Sequence, residues 1–312
     1  MKAGLIGCGL IARSHARAYA DNQVTVAAVT DVNPEAASRL AGELGTAACF
    51  PGYRELIDSG TVDMISICTP PAFHRDAAVY ALQHTIPVLC EKPLAHSVPA
   101  AQAITRAAAG SRAVLMTAFR HRFLPAIRKM KDVLSGNVIG DPVLFRNTFC
   151  APAFDMDRKW FSKKSVSGGG CLMDTSSHSV DLFRFLCGEV VSQQAVMHTR
   201  FKNTDVEDAG IIILKSENGT VGSIHAAWAA GAGEFLVDLI GTRGRLTYDY
   251  TRPEELVQQD PDHPDGHRVA VEGGDGFSAE VASFIAAAKG TGPLEAAGRD
   301  GLRAVEIIQA CY

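Results

Sequence analysis

The stretch KAGLIGCGLIA, residues 2–12, decides the fold of this chain. Its first part predicts a short apolar strand, residues 3–6, and its two glycines predict a tight turn that leads into a helix over residues 12–20. A second apolar run, residues 24–29, follows this helix and ends at Asp31. Strand, glycine turn, helix, strand and acid occur in this order in a dinucleotide-binding βαβ unit. The sequence therefore predicts an α/β domain that binds a dinucleotide.

The residue types of the turn each have a physical use in cofactor binding. Gly7 permits the tight turn, and Gly9 lets backbone amides approach a pyrophosphate without a Cβ in the way. The pyrophosphate is expected at the start of the helix, near Leu10 and Ile11, where unpaired N–H groups and the helix dipole favour an anion. A merely structural turn is the alternative, but the strand, helix and acid around it favour cofactor binding.

Asp31 is expected to accept hydrogen bonds from both hydroxyls of the adenosine ribose. Its charge would repel a 2′-phosphate, and Val32 beside it offers no guanidinium to receive one. The sequence therefore predicts NAD as the cofactor, with NADP disfavoured. Arg39, two turns into the next predicted helix, is a cation that keeps NADP open as an alternative.

Composition and charge exclude several classes of protein. The 312 residues suffice for two domains, and the formal net charge of −4 gives no reason to expect nucleic acid or an anionic membrane as a partner. No apolar run has the length of a membrane span. The apolar run at residues 3–12 is not interpreted as a secretion signal, because glycines interrupt it and Arg13 follows it closely. The eight cysteines are scattered, without a CxxC pair or a Cys/His cluster. We therefore predict no metal site, and reduced thiols in a cytoplasmic protein.

Residues 1–120 are predicted to form a Rossmann domain, a doubly wound parallel sheet of six strand–helix units. Two apolar strands, residues 62–68 and 86–90, end in polar or proline-rich turns. Since ligands of doubly wound sheets bind at the carboxyl ends of the strands, residues of these turns are expected to contact the cofactor. They are Thr69, Pro70, His74, Glu91 and Lys92. For His74, which begins the following helix, local packing is an equally open alternative.

Residues 121–312 are predicted to form a second, α+β domain. Its apolar residues alternate rather than cluster, and turn signals separate the runs, which indicates a large, mostly antiparallel sheet of five to seven strands. One face of this sheet is expected to pack on helices. Nothing later in the chain covers the other face, so the sequence predicts self-association through it. Two helices, residues 278–289 and 300–312, are predicted to close the chain.

A second candidate site lies within residues 167–181, where a glycine run precedes a predicted helix. Asp174, His178 and Asp181 are spaced i, i+4 and i+7, which places them on one face. A single histidine on a helix is more often structural, but two acids flanking it after a glycine run favour a functional site. Asp181 keeps a structural alternative, capping or pairing inside the second domain.

Together these motifs resemble those of the Gfo/Idh/MocA family, that of glucose–fructose oxidoreductase and inositol dehydrogenase. The matching segments are Gly-Cys-Gly-Leu-Ile-Ala at 7–12 with His15, Cys-Thr-Pro-Pro-x-x-His at 68–74, Glu-Lys-Pro at 91–93, and Gly-Gly-Gly-x-x-x-Asp-x-x-x-His-x-x-Asp at 168–181. The resemblance implies a Rossmann domain and a C-terminal domain whose open sheet mediates homodimers or homotetramers. It also implies that Lys92, Asp174 and His178 occupy catalytic positions, with Lys92 beside the nicotinamide.

The resemblance implies an NAD(H)-dependent dehydrogenase that oxidises a secondary hydroxyl of a sugar, a sugar derivative or a cyclitol. His178 is the natural base, Lys92 would stabilise the developing alkoxide, and Asp174 would hold a neighbouring hydroxyl or bias His178. Arg122 and Trp160 are further candidates for lining the substrate site. A regulator that keeps the fold without the chemistry, and a hydrolase that uses bound NAD transiently, are the competing interpretations.

Overall fold

The computed structural model describes residues 1–45, 47–153 and 155–312. Within them, the first sheet consists of six parallel strands, and all but the edge strand β3 are buried along most of their length, as expected for strands covered on both faces. These strands are β1 (Lys2–Ile6), β2 (Thr25–Thr30), β3 (Ala48–Phe50), β4 (Met64–Ile67), β5 (Val88–Glu91) and β6 (Leu115–Ala118). Their order in the sheet is β3-β2-β1-β4-β5-β6, the doubly wound order with its switch point between β1 and β4.

Helices connect these strands, and their boundaries follow local signals. Asn33 caps the second helix by accepting a hydrogen bond from the Glu35 amide, and Gly45 ends that helix in the left-handed conformation. The first helix begins at Leu10, two residues before the predicted start. The helices are α1 (Leu10–Asp21), α2 (Pro34–Leu44), α3 (Tyr53–Asp58), α4 (His74–Gln83) and α5 (Val98–Ala109).

The second sheet has eight strands within the described residues, one more than the upper limit of the prediction. It is antiparallel except where β7 pairs with β10. Its strands are β7 (Pro142–Pro152), β8 (Val190–His198), β9 (Ala209–Ser216), β10 (Val221–Ala227), β11 (Ala229–Gly241), β12 (Arg245–Asp249), β13 (Glu255–Asp260) and β14 (His263–Ala270), in the order β14-β13-β12-β11-β7-β10-β9-β8. The hairpin β13–β14 is the part that the sequence analysis missed, because its residues are mostly polar and do not alternate with apolar ones.

Helices cover one face of this sheet. Side chains of β9 and β10 alternate between the two faces: Ile212 and Ile224 are buried, whereas Ile211 and Val221, an odd number of positions away along their strands, are exposed. The helices of this part of the chain are α6 (Pro125–Ser135), α7 (Lys164–Ser167), α8 (Cys171–Asp174) and α9 (Ser176–Cys187). The structure confirms the predicted fold class, a Rossmann sheet plus a large, mostly antiparallel sheet.

The chain divides into two units, and the division differs from the predicted domains 1–120 and 121–312. The first unit is Met1–Phe119 with Phe277–Val305, and the second is Arg120–Gly276 with Glu306–Tyr312. The helix α10 (Phe277–Ala288) belongs to the first unit because its apolar side chains pack there. The side-chain amide of Asn22 in α1 also donates to the carbonyl of Ser278, at 2.9 Å.

The last helix, α11 (Gly298–Gln309), begins in the first unit, and its final residues belong to the second. It starts two residues earlier and ends three residues earlier than predicted. A Cβ at Gly301 would lie 2.4 Å from the Thr117 hydroxyl, so glycine is what allows α11 to approach β6. None of the helices in the described ranges has the length and hydropathy that crossing a membrane requires.

Candidate active site

The glycine turn after β1 has the shape that a dinucleotide phosphate requires. Gly7 has a φ of +93°, and a Cβ on it would lie 2.8 Å from the carbonyl of Cys68, so no other residue fits there. Gly9 is the N-cap of α1 and supplies no side-chain acceptor to the first amides of the helix. A Cβ on Gly9 would meet nothing within 4 Å. The space beside Gly9 at the start of α1 is therefore open, as an anion site at a helix start needs.

Asp31 is held in place beside this turn by backbone amides. Its Oδ2 accepts a hydrogen bond from the Cys8 amide at 2.7 Å, and its Oδ1 accepts one from the Asn33 amide at 2.8 Å. The carboxylate therefore fixes the glycine turn to the end of β2. Each carboxylate oxygen can accept a further bond, which suits the ribose hydroxyls expected here. The side chain of Val32 beside it is fully exposed.

The turn after β4 offers an unused hydroxyl. The Oγ1 of Thr69 is buried and has no hydrogen-bond partner among the described residues. Buried hydroxyls normally have a partner, so an orphaned one at the carboxyl end of a central strand fits a bound ligand. Pro70, next in the chain, is half-buried and extended, with a ψ of 151°.

His74 connects two turns instead of facing outward. Its side chain is completely buried, with Nε2 2.7 Å from the carbonyl oxygen of Thr69 and Nδ1 3.2 Å from that of Leu94. Burial lowers the pKa of His74, and the contacts with the Thr69 and Leu94 carbonyl oxygens act in the opposite direction. Its position matches the alternative interpretation, local packing, rather than contact with a cofactor. The ring ties the Thr69 turn to the segment that follows Lys92.

Glu91 also points into the first unit. One of its oxygens lies 3.0 Å from Nε2 of His15, and the other accepts a hydrogen bond from the Lys92 amide at 3.0 Å. Burial by itself raises the pKa of Glu91, but the hydrogen bond from His15 and the nearby positive charges outweigh it, and the pKa lies below its usual value. On its other side, the His15 ring contacts Ser66, whose hydroxyl is 3.1 Å from Nδ1 of His15. Glu91 thus positions Lys92 rather than presenting its own carboxylate.

Lys92 itself follows directly from β5 and is half-buried, and its peptide bond to Pro93 is cis. The buried His15–Glu91 pair connects this turn to α1, which starts at the glycine turn. Sequence reasoning noticed His15 only through the family resemblance. The available signal was Ser66, a polar residue inside the otherwise apolar strand β4.

In the second unit, the glycine run allows the chain to pack tightly around Glu207. A Cβ on Gly170 would lie 1.9 Å from the Glu207 carbonyl oxygen, and one on Gly169 would lie 2.0 Å from the Tyr312 hydroxyl. The Glu207 carboxylate accepts hydrogen bonds from the amides of Gly170 and Leu172, both at 2.9 Å, and from the Tyr312 hydroxyl at 2.8 Å. An acid at the start of α8 also complements the helix dipole.

The sequence predicts one helix carrying Asp174, His178 and Asp181, but the structure has two, α8 and α9, with Thr175 between them. Thr175 keeps right-handed helical angles, so the chain direction is maintained. Asp174 is half-buried, His178 is 8% exposed and Asp181 is completely buried. The three residues therefore differ in access: Asp174 reaches the surface of this unit, and Asp181 does not.

The ring of His178 lies against that of His121, a residue that sequence reasoning passed over. The two ring centroids are 4.0 Å apart and the planes differ by 10°. The ring of Phe149 also stacks on His121, with ring centroids 5.5 Å apart, and the Tyr250 hydroxyl lies 3.4 Å from Nδ1 of His121. The available signal was the basic run at 120–122, from which only Arg122 was expected to line the substrate site.

Arg122, expected to line the substrate site, is bound to Asp181. Its Nε donates to Oδ2 at 2.6 Å and its Nη2 to Oδ1 at 2.5 Å, a bidentate pair in which both side chains are buried. The pair attaches the 3₁₀ turn Arg120–Phe123 to α9. Trp160, the other lining candidate, is half-buried in the 3₁₀ turn Trp160–Ser162, and its ring stacks on Phe161 at 3.6 Å.

The chain is similar to known proteins over most of its length. Residues 1–119 match the family model described as oxidoreductase family, NAD-binding Rossmann fold, and residues 127–247 match the GFO/IDH/MocA C-terminal domain. Levoglucosan dehydrogenase of Pseudarthrobacter phenanthrenivorans is 27% identical over 293 residues, which cover 82% of this chain and 75% of that protein. Myo-inositol 2-dehydrogenase of Thermotoga maritima is 25% identical over 320 residues, which cover 98% of this chain and 93% of that protein. A solved structure of levoglucosan dehydrogenase in complex with NADH has a TM-score of 0.92 and 26% identity, and the match covers 99% of this chain and 95% of that one.

Proposed function

Because the chain belongs to the GFO/IDH/MocA family of NAD-binding oxidoreductases, we propose that it oxidises a secondary hydroxyl of a sugar, a sugar derivative or a cyclitol. Family membership confirms the predicted oxidoreductase class and the NAD-binding Rossmann domain. The main support for the substrate class is the similarity to levoglucosan dehydrogenase and myo-inositol 2-dehydrogenase. NAD supplies the hydride acceptor, its nicotinamide ring.

We assign the cofactor to the carboxyl ends of β1, β2 and β4. The open start of α1 would hold the pyrophosphate, and the fixed carboxylate of Asp31 would hold the adenosine ribose. The orphaned hydroxyl of Thr69 supports a ligand at the same edge of the sheet. The start of α1, Asp31 and Thr69 offer backbone amides and short polar side chains, which suit a dinucleotide that lies along the strand ends.

His178 is the proposed base. An alcohol loses its hydroxyl proton as the hydride leaves carbon, and a neutral imidazole accepts such a proton near pH 7. Lys92 is proposed to donate a hydrogen bond to the same oxygen and to stabilise the alkoxide charge as it develops. Asp174, the more accessible acid, is proposed to orient the substrate by accepting a hydrogen bond from a neighbouring hydroxyl.

A neutral polyol fits these residues better than an anion. Arg122, the cation that would favour a carboxylate or phosphate, is neutralised by its bidentate pair with Asp181. Arg120 donates to the carbonyl oxygen of Asp275 at 2.8 Å. The carboxylate of Asp174 would repel an anionic substrate. We therefore propose neutral sugars and cyclitols as substrates, with Trp160 available to stack on a sugar ring.

We also propose a homodimer or homotetramer that forms through the uncovered face of the eight-stranded sheet. Large apolar side chains are exposed there, which is unusual for a surface that faces only water. They include Leu144 of β7, Val196 of β8, Ile211 and Ile213 of β9, and Val221 of β10. A second copy of the same face would cover them, since a two-fold axis pairs identical patches.

We propose a cytoplasmic location as well. All eight cysteines are described by the structure and each is a free thiol, five of them buried. Disulfides are the usual state of paired cysteines in oxidising compartments, so free thiols suit a reducing one. No nucleic acid or membrane partner is proposed.

The test of the proposed activity is a substrate screen. The purified full chain is incubated with NAD and single sugars, sugar acids, sugar phosphates and cyclitols, and NADH absorbance is recorded. We expect turnover with at least one neutral polyol. Tightly bound NAD that never exchanges, together with hydrolysis of a glycoside, would replace the dehydrogenase with the hydrolase interpretation. Activity confined to sugar phosphates or uronates would overturn the neutral substrate class.

A further inference from the structure

Asp260, His263 and His267 come together where β13 turns into β14, and the proposed reaction uses none of them. One potential ligand atom from each residue lies within 4.8 Å of the other two. The sequence predicts no metal site, because its eight cysteines form no CxxC pair and no Cys/His cluster. The proximity arises from the hairpin itself.

A bulge in β14 brings the two histidines side by side. Asp260 pairs with His263 across the hairpin, whereas Gln258 pairs with His267, so the three residues 264–266 have only Gln259 opposite them. Residues i and i+4 of a regular strand are roughly 13 Å apart. Here the two imidazole rings have centroids 4.0 Å apart.

The bulge has its own support. Gly266 has a φ of +81°, in the left-handed region that favours glycine. The side-chain amide of Gln259 donates to the carbonyl oxygen of Pro264 at 2.5 Å. The arrangement of the two histidines is therefore held by the backbone and does not depend on the rings alone.

The three side chains are placed so that their donor atoms converge. Asp260 is 6% exposed, and its carboxylate is held in place by hydrogen bonds from the side-chain amide of Gln258 and from the backbone amides of Asp262 and His263. The Nδ1 of His267 is buried and has no hydrogen-bond partner within the described part of the chain. The side chain of His263 is half exposed, which leaves an access route from solvent.

We propose that Asp260, His263 and His267 bind one divalent transition-metal ion. Two imidazoles and one carboxylate are a ligand set typical of zinc, with water in the remaining position, whereas magnesium and calcium prefer oxygen ligands. Binding replaces the 3.1 Å contact between His263 and Asp260 with two bonds to the ion. Since β14 is the edge strand of the sheet, the ion would fasten the bulge to β13 and stabilise that edge.

The test is calorimetric titration of Zn²⁺ into the metal-free full chain, in a Cys49→Ser background because that thiol is exposed. We expect one ion per chain, and a dissociation constant that rises by roughly tenfold or more in Asp260→Asn and in His267→Gln. The matched control is His84→Gln, because His84 lies 3.7 Å from Asp58 but belongs to no group of three possible metal ligands among the described residues. This control is expected to leave the constant unchanged.

Thermal unfolding followed by circular dichroism provides the second measurement. Zn²⁺ is expected to raise the Tm of the parent and of His84→Gln but not that of His267→Gln, whose spectrum before heating shows whether it is folded. Absence of saturable binding to the parent would overturn the proposal. Binding that Asp260→Asn and His267→Gln leave unchanged would overturn it equally.

Discussion

The imidazole of His121 lies parallel to that of His178, with ring centroids 4.0 Å apart and planes that differ by 10°. A ring stacked this closely restricts the orientation of the proposed base and limits the water around it. It also makes the charge of one ring matter to the other, since two imidazolium ions at this distance would repel each other. We therefore propose that His121 is a positioning residue for His178.

Replacing His121 with phenylalanine is expected to move the pH dependence of the reaction. Phenylalanine keeps a flat ring but cannot become charged, and its face favours a cation, so the protonated form of His178 is stabilised. A base must be neutral to act, so the acidic limb of kcat/KM should shift to higher pH by roughly half a unit. A pH–rate profile of His121→Phe measures this. An unchanged profile with an unchanged kcat would show that the stack has no role in catalysis.

His178→Ala is expected to lose roughly 10²- to 10⁴-fold in kcat, the range for removal of a general base. NADH binding, followed by fluorescence, should persist because His178 is no part of the glycine turn. The acidic limb of the pH profile should disappear only in this variant. His198→Ala is the matched control, since His198 is a half-exposed histidine of β8 paired with Asp208. Turnover of His178→Ala at the parent rate would contradict the assignment of the base.

Lys92→Met is expected to lower kcat while NADH still binds. The lysine charge is proposed to stabilise an alkoxide that is most developed in the transition state, so its loss affects the rate more than the affinity for substrate. Steady-state kinetics with the identified polyol separate the two parameters. Lys129→Met, at an exposed position of α6, controls for the loss of one positive charge. A rise in KM alone would instead make Lys92 a binding residue.

Asp31→Asn is expected to narrow the preference for NAD over NADP. Asparagine can still accept one hydrogen bond from the amides of Cys8 or Asn33, which keeps the glycine turn closer to its parent shape than alanine would. The lost charge removes the repulsion of a 2′-phosphate. The measurement is kcat/KM for both cofactors in the parent and the variant. Asp31→Ala should also narrow the preference for NAD without abolishing cofactor binding. Equal kcat/KM values for the two cofactors in the parent would contradict the role given to Asp31.

The first unit was predictable because its signals are local. Continuous apolar runs such as β4, and the glycines and acid around α1, are visible within about thirty residues of sequence. The role of His74 could not be predicted from such local signals, because the Leu94 carbonyl that it contacts lies 20 residues away. Only the fold shows that the two turns are adjacent. The same holds for Asp181, whose partner Arg122 is 59 residues earlier.

The second unit was predicted less completely. The strands with alternating apolar residues were found, but β13 and β14 are largely polar, and their pairing depends on the turn at Asp260 rather than on burial. The assignment of α10 to the first unit could not be predicted either. Its apolar residues indicate that it is buried, but they do not specify which core it joins.

Arg122 and Asp181 form a buried ion pair, and their side chains are 7% and 1% exposed. Arg122→Met leaves the carboxylate of Asp181 buried without its cation, which costs about 3–5 kcal/mol in the free energy of unfolding. The double variant with Asp181→Leu removes both charges and should recover most of this loss. Urea unfolding measures both variants and the control Arg13→Met, which breaks the exposed pair with Glu43 and should cost much less stability than Arg122→Met. If the double variant recovers stability but its KM for the polyol stays raised about tenfold, Arg122 contacts the substrate and the purely structural role is wrong. Because the pair is bidentate and buried, we expect the double variant to recover most of the stability and to keep the KM of the parent.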